Sequence, residues 1–108
     1  MKMKNLEKQA EINEYTVERD DAPNLRFCGQ ILADATSRKS YNDGGRWQEL
    51  TLYKTVGGQY VCSKVDVSCG SGERTRYKAV VCESISDVIA FFGRSSLAKE
   101  LYRRKMKY

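Results

Sequence analysis

The stretch Glu49-Leu50-Thr51-Leu52-Tyr53-Lys54-Thr55-Val56-Gly57-Gly58-Gln59-Tyr60-Val61-Cys62-Ser63-Lys64-Val65 decides the fold of this chain. Two runs rich in β-branched and aromatic residues flank a diglycine. Both glycines take φ > 0 without steric cost, so the pattern predicts a hairpin closed by a two-residue turn. Such a turn fixes the register, with Val56 opposite Gln59, Tyr53 opposite Cys62 and Leu50 opposite Val65. One face of the pair then collects Leu50, Leu52, Val61 and Val65. The other collects Trp47, Glu49, Thr51, Tyr53, Thr55, Tyr60, Cys62 and Lys64.

Outward from the hairpin, the β signal extends both ways. Leu25–Ala35 reads as a strand before a polar loop over residues 36–45, and Trp47–Val56 and Gln59–Ser68 form the hairpin. A turn at Cys69-Gly70-Ser71-Gly72-Glu73 leads into a further strand, Arg74–Glu83. The period then changes from two to 3.6 residues. Ser84 is placed to cap a helix through Ile85, Val88, Ile89, Phe91 and Phe92, and Gly93 to stop it. Ser95 or Ser96 opens a second helix, Leu97–Lys105. The fold expected is α+β: a four-stranded antiparallel meander, β-β-β-β-α-α, with one or two C-terminal helices on one face.

The single proline, Pro23, separates residues 1–23 from a single α+β domain over residues 24–108. The charged N-terminal segment reads as flexible or as a short strand. A helix over residues 4–14 and an edge strand over Glu14–Arg19 both fit its sparse apolar residues.

Composition limits the chemistry. The chain has 108 residues, 41% hydrophobic and 31% charged, which suits one modest core. It contains no histidine, which excludes histidine-based acid–base and nucleophile chemistry and every histidine-ligated metal site. Cys28, Cys62, Cys69 and Cys82 are separated by 34, 7 and 13 residues without a C-x-x-C, a spacing that argues against zinc. No cofactor is implied. The start of the chain lacks an apolar secretion signal and no run is long enough for a membrane helix, so a cytoplasmic setting, free structural thiols and no membrane partner are expected. Two enzymatic options, a Cys62 thiol beside Lys64 and a Glu49/Asp66 carboxylate pair, lack any supporting motif. A non-enzyme is expected.

The net charge of +5 is uneven: residues 94–108 carry six bases against Glu100 alone. Such a tail attracts polyanions or acidic surfaces, although bases near a helix C-terminus also complement its dipole. Binding is therefore expected at Trp47, Tyr53, Tyr60 and Lys64 on the aromatic sheet face, and at Arg103, Arg104 and Lys105 on the last helix. Tyr and Trp suit interfaces because each offers an apolar body with a polar tip. Cross-strand aromatic pairing explains the same rings without any ligand. A protein or nucleoprotein partner, a homodimer, and nucleic acid held by the basic helix all remain open.

Glu49-Leu50-Thr51-Leu52-Tyr53-Lys54-Thr55, with Gly57-Gly58-Gln59-Tyr60-Val61, resembles the core strand pair of the small EXLDI-type proteins and related short proteins of plasmids, integrative elements and phages. Val80–Phe92 and Leu97-Ala98-Lys99-Glu100-Leu101-Tyr102 are similar to their C-terminal part. The resemblance covers about residues 25–102. At the family's naming signature this chain reads Ser84-Ile85-Ser86-Asp87-Val88-Ile89. The resemblance implies a mobile-element origin and no catalytic residues. It also implies a class of small binding proteins that includes anti-defence and anti-CRISPR inhibitors.

Overall fold

The computed structural model describes residues 11–38, 45–69 and 72–105. They form one antiparallel sheet in the order β1-β2-β3-β4-β5: Asn13–Val17, Leu25–Thr36, Arg46–Thr55, Tyr60–Ser68 and Arg76–Cys82. Two helices follow, α1 over Ile85–Phe92 and α2 over Ser96–Lys105. The α+β class, the meander and the C-terminal helices are as expected, but the sheet has five strands rather than four. The fifth comes from the N-terminal segment. Asn13–Val17 pairs along its length with Leu25–Gly29, which settles residues 13–17 as strand. Most of the alternative helix over residues 4–14 lies outside the described residues.

The hairpin closes differently from expectation. Thr55 N donates to Gln59 O at 2.8 Å and Gly58 N to Thr55 O at 3.0 Å, so the loop is Val56-Gly57-Gly58. Of the two glycines only Gly58 has positive φ, at 94°. This is a type I turn followed by a left-handed residue, the usual three-residue solution. The Thr55 hydroxyl also accepts from Gln59 N at 3.1 Å. Every pair is thereby shifted by one residue: Tyr53 faces Val61, Leu52 faces Cys62 and Leu50 faces Lys64. β4 carries Tyr60, Val61, Cys62, Val65 and Val67, apolar on both faces, so its own pattern does not select a register and the turn does.

The helices cap as their sequences direct. Ser84 Oγ accepts from Asp87 N at 3.2 Å, and Gly93, at φ 85°, donates its N–H to Ile89 O. Ser95 Oγ accepts from Ala98 N at 3.2 Å. Helices of 8 and 10 residues are too short to persist alone, so burial holds them. α1 lies over β4 and β5, and α2 over β2 and β3. Val88, Phe92, Ala98 and Leu101 close over Ala33, Ala35, Leu50, Leu52, Cys62 and Cys82. No described helix is long and apolar enough to cross a membrane.

The sheet also curls. Beyond β1, Asp20 N donates to Tyr77 O of β5 and Tyr77 N donates to Asp20 Oδ2, both at 3.0 Å, which joins the two outer strands at one end. Two irregularities in β2 permit this. A bulge between Ile31 and Ala33 bends the strand, and Gly29 lets it approach β3 so closely that a Cβ there would stand 2.2 Å from Lys54 O.

Candidate partner-binding surfaces

Strand alternation sorts the side chains of the sheet onto two faces. On the helix side lie Leu50, Leu52 and Lys54 of β3 with Tyr60, Cys62, Lys64 and Asp66 of β4. On the open side the register builds a row across four strands: Ile31, Tyr53, Val61, Val81. Tyr15 and Phe27 join this row from the β1–β2 pair. Their rings stand 5.0 and 5.2 Å from that of Tyr53, and 5.7 Å from each other. Gly29 lies between Phe27 and Ile31 on that side, and the space its side chain would take is filled by the Lys54 and Thr55 backbone.

Charge segregates with the faces. Arg26, Arg46, Lys54, Lys64, Arg76 and Lys78 all occupy helix-side positions of their strands, while the open-side strand positions carry only Asp34 and Glu49 as charged residues; Arg38, just past β2, lays its guanidinium over Trp47. The curl buries part of the open face: Val61 is 1% exposed and Val17 5%. Its rim stays accessible, with Ile31 at 45% and Val81 at 41%. Burial pushes the Tyr53 hydroxyl above its ordinary pKa, helped by Tyr15 and Asp34, so the phenol stays neutral.

The expected single patch is therefore divided. Trp47 and Tyr53 lie on the open face. Tyr60 and Lys64 lie on the helix side: Tyr60 is half-buried against the core with Lys54 Nζ 5.4 Å from its ring, and Lys64 Nζ stands 5.8 Å from the Phe91 ring. The one-residue shift at the turn is the cause. Trp47 donates Nε1–H to Glu49 at 2.8 Å and receives the Arg38 guanidinium over its ring at 4.4 Å. Arg103 and Arg104 are exposed on α2. Arg104 is engaged, donating to Glu100 Oε2 at 2.8 Å and to the Asp34 carbonyl at 3.1 Å. The Lys105 side chain and residues 106–108 lie outside the described residues.

The two enzymatic arrangements do not form. Cys62 is fully buried, not on the surface, with its Sγ 3.7 Å from that of Cys82. Burial, then Cys82, pushes its thiol far up, away from the nucleophilic thiolate. Glu49 and Asp66 occupy opposite faces, Asp66 accepting from Gln48 Nε2 at 2.8 Å. All four cysteines are free, Cys28 and Cys69 exposed. Of the Gly70-Ser71-Gly72 turn, Gly70 and Ser71 lie outside the described residues.

Tyr15, Phe27, Ile31 and Val81 were not among the expected contact residues. The alternation Leu25, Phe27, Gly29, Ile31 was the available signal, and the side it would face depended on the register. No protein-family model, curated protein or solved structure matches the chain.

Proposed function

We propose that this chain is a non-enzymatic binding module that seats the open face of its sheet on a larger protein or nucleoprotein complex. The carrying observation is the charge segregation: the strand positions of the open side bear rings and aliphatics, no base and only the acids Asp34 and Glu49, and the rim residues Ile31 and Val81 are more than a third exposed. A face with so few charges loses little desolvation energy on docking, and its aromatic side chains suit an interface centre. The mobile-element origin implied by the likeness to EXLDI-type proteins makes a host defence complex, CRISPR effectors included, the first partner class to test. The alternative, nucleic acid held by the basic C-terminal helix, has less support because Arg104 is already bound to Glu100 and Asp34.

Affinity capture from host lysate tests the reading, with Ile31→Glu and Val81→Glu beside wild type and Arg103→Glu as control. The expected result is partner recovery reduced at least tenfold by either rim variant and unchanged by the control. Equal recovery by all three variants refutes the proposed face. Light scattering on the purified chain separates this reading from self-association: a dimer that Ile31→Glu or Val81→Glu dissociates makes a second copy the occupant instead.

A further inference from the structure

On the helix side of β3–β5 the described part of the sheet runs on past α1, whose Phe91 ring stands 5.8 Å from Lys64 Nζ, and the strip from Lys64 onward is mostly basic. Three register rows compose it: Lys64 with Lys78, Asp66 with Arg76, and Ser68 with Arg46. Lys64 and Lys78 are directly opposed, a like-charge cross-strand pair that disfavours the sheet unless an anion lies over it. Among the described residues, no carboxylate comes within 4.0 Å of the charged group of Lys64, Lys78 or Arg76. The carboxylates nearby are engaged elsewhere, Glu73 with Arg46 at 3.0 Å and Asp66 with the Gln48 amide. The strip leads into an open groove of about 720 Å³, lined by Arg46, Arg74 and Arg76, by the carboxylates of Asp66 and Glu73, and by Trp47 among others.

From strand geometry the strip is about 14 Å long and about 10 Å wide. It matches the backbone of one nucleic-acid strand over two or three nucleotides and is too narrow to meet both strands of a duplex. We propose that Lys64, Lys78 and Arg76 hold consecutive phosphates of a single-stranded nucleic acid whose path enters the groove beside Trp47. Lys64, Lys78 and Arg76 lie on the opposite side of the sheet from the protein-docking face, and the groove opens at the sheet's end, where Trp47 of the open face also lines it. The site is distinct from the basic end of α2.

Trp47 is the sole tryptophan of the chain and lines the groove, so its emission reports occupancy directly. The probe is a twelve-residue thymidine oligonucleotide carrying a terminal dye for anisotropy, compared with a duplex of the same length. The single strand is expected to change Trp47 emission and to bind with a log–log salt slope of about −2, from three phosphates at about −0.7 each. Lys78→Glu is expected to weaken binding at least tenfold while raising the melting temperature, because it replaces a repulsive pair with an attractive one. Binding loss with increased stability is a combination that damage to the fold does not produce. Arg76→Gln and Lys78→Gln give the same reading with smaller steps should Lys78→Glu fail to fold, and Arg103→Glu should bind as wild type. The proposal is overturned by unchanged emission and anisotropy at low salt. Undiminished binding by the Lys78 and Arg76 variants, or equal affinity for the duplex, overturns it as well.

Discussion

Gly29→Ala tests how the sheet closes on itself. A Cβ at position 29 meets Lys54 O at 2.2 Å, Thr55 Cα at 2.9 Å and Lys54 C at 3.0 Å, all backbone atoms. Real Cβ contacts stay beyond 3.0 Å, so the two backbones must separate by about 0.8 Å at that point. Overpacking of this kind costs about 1–3 kcal/mol. Loosening one β2–β3 ladder bond adds about 1 kcal/mol. The stiffer unfolded chain returns about 0.4–1 kcal/mol. The net loss is about 2–3 kcal/mol, a large share of the ~5–15 kcal/mol that a domain possesses. At roughly 4–8 °C per kcal/mol, the melting temperature falls by about 10–20 °C. Thermal and urea unfolding by far-UV circular dichroism measure it. Near-UV signals should weaken too, because the same displacement parts the Tyr15, Phe27 and Tyr53 rings. Gly57→Ala is the control, since its nearest neighbour would be the Thr55 hydroxyl at 3.7 Å, and it should cost nothing measurable. A Gly29→Ala variant within 0.5 kcal/mol of wild type refutes the close crossing and, with it, the register of β2 on β3.

Three further outcomes follow from local geometry. Gly58→Ala forces a Cβ into φ 94° and should cost about 1–2 kcal/mol in urea titrations, whereas a two-residue turn would penalise Gly57→Ala as well. A disulfide reagent should titrate Cys28 and Cys69 in the native protein and all four thiols in denaturant; early reaction of Cys62 contradicts its burial. Because the folded Cys62 thiol is raised above its ordinary 9.0, the unfolded chain loses its proton first. Stability under reducing conditions should hold below pH 9 and fall above it by about 1.4 kcal/mol per pH unit, a slope that Cys62→Ala should reduce.

Much of this architecture was readable residue by residue. Ser84 and Gly93 bracket α1 because a hydroxyl satisfies an orphan N–H and a glycine accepts positive φ, both effects confined to one turn of helix. The strand spans likewise follow from alternation and from the glycine, proline and polar clusters between them. The sequence by itself also located the basic helix end and excluded histidine chemistry. Only the tertiary structure decided which face each strand residue occupies. β4 is apolar on both sides, so the hairpin accepts either register, and one hydrogen bond between Thr55 and Gln59 settles the matter for every residue beyond it. Recruitment of Asn13–Val17, the curl that brings Asp20 to Tyr77, and the meeting of the Tyr15, Phe27 and Tyr53 rings depend on contacts between segments distant in the chain. Local propensity carries no information about such contacts, because their energy exists only once the strands have met.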